Sequence, residues 1–264
     1  MKKENLLKKK LKNGEVVIGC WCVVPSSPLA NVIASSGLDF IIIDMEHGPH
    51  SFETAAEMIK SSQAEGCSPL IRVANNSEYM ILRALDIASD GVIVPHIESA
   101  DDVLKAVSYS KYFPDGERGF SPFTRAGGYS ADNVSQHSKG QNEKTLVALI
   151  LEGKKGIDSL DEILKIDDIS KKIDLIYIGA YDLSQALGMP GKVDDPRVKE
   201  ALMACISKIN AKGIAAGGYV AKNKQDMEWM VKAGMQFITI LPDCTVIYHA
   251  FEKYAKELKD IVKA

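Results

Sequence analysis

Eight short apolar runs, each followed by a stretch with helix start and stop signals, constrain the fold of this chain more than any other feature. The runs are residues 16–20, 40–44, 70–72, 92–95, 147–152, 175–178, 214–219 and 237–240. They are mainly Val, Ile, Leu, Ala and Phe without polar alternation, the pattern of strands buried on both faces of a parallel sheet. Between them, Ser26 and Ser27 precede Pro28 with Gly37 as the stop, and Ser77 opens a helix toward Ser89. Ser159 with Glu162 three residues on reads as a capping box, Asp195-Pro196 opens a helix closed by Gly213, and Asn223 opens one closed by Gly234. A last helix runs from about Thr245 to the end. Eight such units favour an α/β fold of the closed (β/α)8 TIM-barrel type over a doubly wound sheet. No linker rich in Pro, Gly or Ser interrupts them, so residues 1–264 are expected to form one domain.

Composition narrows the partners. A chain with 46% hydrophobic and 25% charged residues is an ordinary globular one. A net charge of −3, without a local basic patch, gives no reason to expect nucleic acid. The basic start, MKKENLLKKKLK, is not followed by an apolar segment of signal-peptide or membrane-span length, so a cytoplasmic protein away from membranes is expected. The five cysteines fall mostly within strand and helix patterns and read as free thiols; Cys20-Trp21-Cys22 lacks a second Cys or His pair at ligand spacing. One stretch breaks the rhythm. Residues 112–144 carry Arg118, Arg125, glycines and aromatics, and read either as an anion-contacting lid or as a packed surface loop.

In a barrel of this kind the chemistry sits at the C-terminal ends of the strands, where charged residues are frequent here. The second run ends in Asp44-Met45-Glu46-His47-Gly48, the third in Arg72, the fifth in Glu152, and Asp182 lies in the turn after the sixth. Ionised groups are costly to bury alone, so charges at four strand ends are expected to meet each other, a metal or an anion. Glu152 and Asp182, on neighbouring strands, suit one hard cation such as Mg²⁺ or Mn²⁺; a metal-free acid/base pair is the alternative. His47 is the candidate proton-transfer group, with Asp44 placed to orient it, and Arg72 supplies a fixed positive charge for an enolate or carboxylate. For His50, His96, His137 and His249 structural roles are expected, although His96 follows the fourth run and is placed to line the mouth. No lysine falls in the runs, which disfavours a Schiff base.

The segments GLDFIIIDMEHGPHS, IRVANN, RALDIASDGVIVPHIESADD, KYFPDGERG, ILEGKKGIDSLDEI and YIGAYDLSQALG, in this order, resemble the HpcH/HpaI aldolase family over nearly the whole chain. The resemblance implies a class II aldolase acting on 2-keto acids, with Glu152 and Asp182 binding a divalent metal (Mg²⁺ or Mn²⁺, or Co²⁺). It makes His47 the base that removes the C4 hydroxyl proton, Arg72 the group that stabilises the pyruvate enolate, and Asp44 and Asp86 the acids that tune His47. It also implies homo-oligomers, commonly hexamers built as trimers of dimers. In these the residue matching Asp86 reaches a neighbouring subunit's site and the C-terminal helix is exchanged between subunits.

Three departures fall on the pocket. Ile150 stands where the family has a substrate-contacting glutamine, Gly179-Ala180-Tyr181-Asp182 replaces a Gly-Pro-x-Asp turn, and Pro95-His96 replaces the Pro-Met of many relatives. Gly179, Tyr181, Asp182, Arg72 and Ile150 are thus the expected substrate contacts, with a keto acid and an aldehyde as substrates. The other readings are an acyl-CoA lyase of the wider superfamily and a non-catalytic barrel with an altered pocket.

Overall fold

The computed structural model describes residues 4–263; Met1, Lys2 and Lys3 of the basic start and Ala264 lie outside the described residues. The apolar runs form β1 (Val17–Cys22), β2 (Phe40–Asp44), β3 (Ser68–Arg72), β4 (Gly91–Val94), β5 (Leu146–Leu151), β6 (Leu175–Ile178), β7 (Ala215–Gly217), β8 (Val220–Ala221) and β9 (Phe237–Ile240). All pair in parallel, in the order β7-β6-β5-β4-β3-β2-β1-β9-β8.

The expected seventh strand is split: β7 pairs with β6, β8 pairs with β9, and only Gly218 and Tyr219 part them. The two ends of the strand order are therefore consecutive in the chain, and Gln236 N–H donates to Ala216 O at 3.0 Å, so the sheet curls round on itself. Gly218 has φ 155°, and a Cβ there would lie 2.7 Å from Ile178 O. Glycine alone lets the chain leave the β6 ladder at that point.

Side chains alternate between two apolar layers. Phe40, Ile42, Leu70, Ala148, Leu175 and Phe237 fill the barrel, with the Phe40 and Phe237 rings stacked 3.9 Å apart. Ile41, Ile43, Ile71, Val92 and Val147 face the helices. The first helix, Leu6–Lys12, was not evident from the lysine-rich sequence. Leu7 and Leu11, one turn apart, join the interior layer and plug the N-terminal end of the barrel.

The helix starts at Ser26, Ser77, Asp195 and Asn223 form as expected, each side chain accepting a backbone N–H of the first turn. The capping box at Ser159 does not form. Ser159 already ends the helix Gly153–Asp158, and its hydroxyl donates to Glu98 O at 2.7 Å and Lys155 O at 2.9 Å. In the stretch 112–144, Val134–Lys144 is a helix, Arg118 pairs with Asp86 at 2.8 Å, and Arg125 Nη2 donates to Gln63 Oε1 at 2.8 Å. Both arginines hold the stretch against the barrel, so it is a packed segment rather than a lid. The last helix, Asp243–Lys263, starts two residues before the expected position. No helix among the described residues is long and apolar enough to cross a membrane.

Candidate active site

The β2–β3 register sets the first charged pair side by side, with Asp44 opposite Arg72 at the C-terminal end of both strands. Arg72 donates from Nε to Asp44 Oδ1 at 2.9 Å and from Nη2 to Oδ2 at 2.5 Å. This is a bidentate pair in which the two side chains are only 12% and 3% exposed. The guanidinium lies 4.5 Å from the centre of the Trp21 ring, which fixes its plane. Burial pushes the Asp44 carboxyl up; the hydrogen bonds and charge of Arg72, with the N–H groups of His47 and Glu46, outweigh it and hold the carboxyl below its ordinary range. Asp44 therefore positions His47 through the backbone, at 3.2 Å, and not through the ring. The imidazole of His47 is exposed and makes no hydrogen bond or ion pair among the described residues.

His96, placed by the sequence at the mouth but expected to be structural, takes a central position. Just past β4 its backbone is left-handed, φ 58°, and its N–H donates to Glu152 Oε1 at 2.7 Å. Its ring lies between two carboxylates, Nδ1 2.9 Å from Glu152 Oε1 and Nε2 2.8 Å from Glu46 Oε1. Glu46 Oε2 is in turn 3.1 Å from Arg72 Nη1, an ion pair without hydrogen-bond geometry. Polar contacts thus run without a break from Asp44 through Arg72, Glu46 and His96 to Glu152. The other histidines have the structural roles expected: His50 Nε2 is 3.1 Å from Cys22 O, His137 Nε2 is 2.7 Å from Ala126 O, and His249 sits on the surface 3.5 Å from Glu252.

Glu152 does not extend β5 but occupies the position before the helix Gly153–Asp158, without capping it. Asp182 lies in the first turn of the helix Ala180–Ala186, after β6. The β5–β6 register, Leu151 opposite Ile178, brings the two together around Gly179. A Cβ on Gly179 would lie 2.9 Å from Asp182 Oδ2 and 3.3 Å from Glu152 Cβ, so the glycine keeps open a cradle between the Asp182 carboxylate and the base of the Glu152 side chain. Burial raises the Glu152 carboxyl, His96 lowers it, and the nearby Glu46 and Asp182 charges raise it again, leaving it above the ordinary value. Among the described residues the side chains whose donor atoms lie close enough to hold a cation are Glu46, His96 and Glu152, and Asp182 is not one of that group, although its charge acts on Glu152.

A cavity of about 400 Å³ opens beside this cradle, and Trp21, Arg72, Ile150, Glu152, Gly179, Tyr181 and Asp182 all line it. His47 and Asp86 do not line it. Asp86, at the end of the helix Glu78–Asp86, is held by Arg118 within its own chain. Sequence reasoning gave no role to Glu46 or Trp21, and placed His96 at the mouth without foreseeing its contacts with Glu46 and Glu152. Glu46 and Trp21 had a usable signal, since each stands at or just past the C-terminal end of a strand.

A parallel barrel whose strand ends gather carboxylates, a buried arginine and a cavity at one mouth has the arrangement of a barrel enzyme. The chain belongs to the HpcH/HpaI aldolase/citrate lyase family, whose model matches residues 17–250. It is 31% identical to a 2-keto-3-deoxy-L-rhamnonate aldolase of Escherichia coli, over 92% of this chain and 89% of that one. It is 27% identical to the hydroxypyruvate/pyruvate aldolase of Roseobacter denitrificans, over 97% of each chain. The crystal structure of an HpcH/HpaI aldolase from Desulfitobacterium hafniense superposes with a TM-score of 0.88 at 27% identity, over 96% of each chain. The chain is thus an enzyme of the aldolase type.

Proposed function

We propose that this chain is a class II pyruvate aldolase of a single barrel domain, which cleaves a 4-hydroxy-2-oxoacid to pyruvate and an aldehyde and runs the reverse condensation. The observation that carries the reading is that Glu152 and Asp182 line one cavity together with Arg72, on either side of Gly179. Glu152 and Asp182 hold a divalent cation, Mg²⁺, Mn²⁺ or Co²⁺, which when bound polarises the keto group of the substrate.

Arg72 is pre-oriented by Asp44 and Trp21, so its remaining N–H donors face developing negative charge without reorganising. In the cleavage direction His47 takes the proton of the C4 hydroxyl. The C3–C4 bond breaks, C4 leaves as the aldehyde carbonyl, and the electron pair passes into the enolate of pyruvate, which is reprotonated at C3. Asp44 sets the His47 backbone, and Asp86 acts from a neighbouring copy. Ile150 and Tyr181 shape the side of the cavity that selects the aldehyde.

The active unit is a homo-oligomer, a hexamer of exchanged C-terminal helices. Along Asp243–Lys263, Phe251, Tyr254, Leu258 and Ile261 lie three or four residues apart and are 62–71% exposed, an apolar stripe that a second copy would cover. Five free thiols suit the reducing cytoplasm.

The test is exchange of the pyruvate methyl protons with deuterated solvent and condensation with a panel of aldehydes, with each of the three metals. Metal-dependent exchange, abolished in Glu152→Gln, is expected. No exchange and no condensation with any metal would falsify the reading, and turnover of acyl-CoA thioesters with free keto acids ignored would replace it.

A further inference from the structure

We propose that His96 is a nitrogen ligand of the divalent cation, bound through Nδ1, with Glu46 as the positioning residue that holds Nε2. The inference rests on the Glu152–Asp182 cation site proposed above and adds a donor to it.

Three features lead there. Glu46, His96 and Glu152 each place a donor atom within 4.8 Å of the others, a cluster of the kind that holds a metal. Within it the two ring nitrogens are not equivalent. Nδ1 lies 2.9 Å from the Oε1 atom of Glu152, the residue that also borders the Gly179 cradle. Two ligand atoms adjacent in an octahedral shell, each about 2.1 Å from the ion, are separated by about 3.0 Å, so Nδ1 and Glu152 Oε1 already have the spacing of neighbouring ligands.

Nε2, on the far side, lies 2.8 Å from Glu46 Oε1, and that side chain is 10% exposed and anchored by Arg72 at 3.1 Å. A carboxylate that accepts a hydrogen bond from one imidazole N–H holds the proton on that nitrogen, leaves a lone pair on the other and fixes the ring, the usual arrangement behind a metal-bound histidine. Finally, His96 has a left-handed backbone, φ 58°, and its own N–H is tied to Glu152 at 2.7 Å. A side chain that packing does not need, 58% exposed, is thus held in an uncommon conformation that turns it toward the cation site.

A nitrogen donor predicts a metal preference. Carboxylate oxygens alone suit Mg²⁺, whereas an added imidazole favours metals later in the first transition row. Glu46 also acquires a role beyond solvation, since it links the Asp44–Arg72 pair to the metal site.

The experiment is electron spin-echo envelope modulation of Mn²⁺ bound to the full-length protein, with Mn²⁺ and Ni²⁺ affinities from calorimetry. Directly coordinated ¹⁴N is expected in the wild-type protein. In His96→Asn, a residue that tolerates left-handed backbone, the ¹⁴N modulation disappears while Mn²⁺ still binds about ten-fold more weakly, and the ratio of Ni²⁺ to Mn²⁺ affinity falls about ten-fold. Glu46→Gln keeps the modulation and lowers the same ratio. Mn²⁺ bound in a Glu152-dependent way without ¹⁴N coupling overturns the His96 assignment and leaves the proposed function standing. Absence of any Mn²⁺ binding that Glu152→Gln removes overturns both. An unchanged affinity ratio in Glu46→Gln overturns the positioning role of Glu46.

Discussion

Arg72 carries more than one duty, and its removal separates them. Because Asp44 is 3% exposed and takes two hydrogen bonds from the guanidinium, Arg72→Ala leaves a buried carboxylate without its counter-charge, held only by the backbone N–H groups of Glu46 and His47. The expected loss is about 3–5 kcal/mol of unfolding free energy in urea denaturation, and Arg72→Ala/Asp44→Asn is expected to recover part of it without restoring pyruvate exchange. At the opposite end of the barrel, Lys111 donates to Asn142 O and Thr145 O, and burial, helped by the charge of Lys8, pushes its pKa down to about 7. The unfolded chain keeps this lysine protonated up to about 10.4, so above about 7 it binds more protons than the folded chain and stability rises with pH across that window. Unfolding free energy measured from pH 7 to 10 should show this rise in the wild-type protein and a smaller one in Lys111→Met; identical slopes would contradict the assignment. At this scale the sequence disclosed which charged residues end strands, but not their partners. His96 could be placed at the mouth from the sequence but not given its role, because its ring contacts depend on Glu46 and Glu152, 50 and 56 positions away along the chain.

The site is made by elements ending where they do. β5 stops at Leu151, so Glu152 turns into the mouth instead of continuing the ladder, and Gly179 after β6 leaves it room. Gly179→Ala is expected to fold, since its φ of −66° suits alanine, but the new Cβ displaces the Asp182 carboxylate. Calorimetry should show divalent-metal affinity reduced at least ten-fold; unchanged affinity would mean that Asp182 does not hold the cation. Gly218→Ala is a test of the split strand, where the close Ile178 O at 2.7 Å predicts a loss of about 1–3 kcal/mol in urea unfolding. The strands were legible because parallel strands covered on both faces leave unbroken apolar runs. The helix Leu6–Lys12 was not, because two leucines among lysines become a signal only when the open end of a barrel needs filling.

For the whole molecule, the exposed stripe on the last helix sets the expectation. Phe251→Asp with Leu258→Asp places charge in it without touching the barrel core. Sedimentation should then show dissociation toward monomers with an unchanged circular dichroism spectrum, and a monomeric wild-type protein would remove the ground for the exchanged helix. If Asp86 acts across that interface, the dissociated form also loses pyruvate exchange. The sequence by itself determined the barrel and the strand ends that supply the charged groups, Glu152 and Asp182 among them. Each of these is written in local pattern, as apolar runs, caps and strand-end charges. Only the tertiary structure decided that Asp44 pairs with Arg72, that Glu46 and His96 bridge to Glu152, that the seventh strand breaks at Gly218, and that the arginines of 112–144 are tied into packing. Such contacts join residues far apart in the chain. Their strength comes from burial and geometry, which exist only after the barrel has closed.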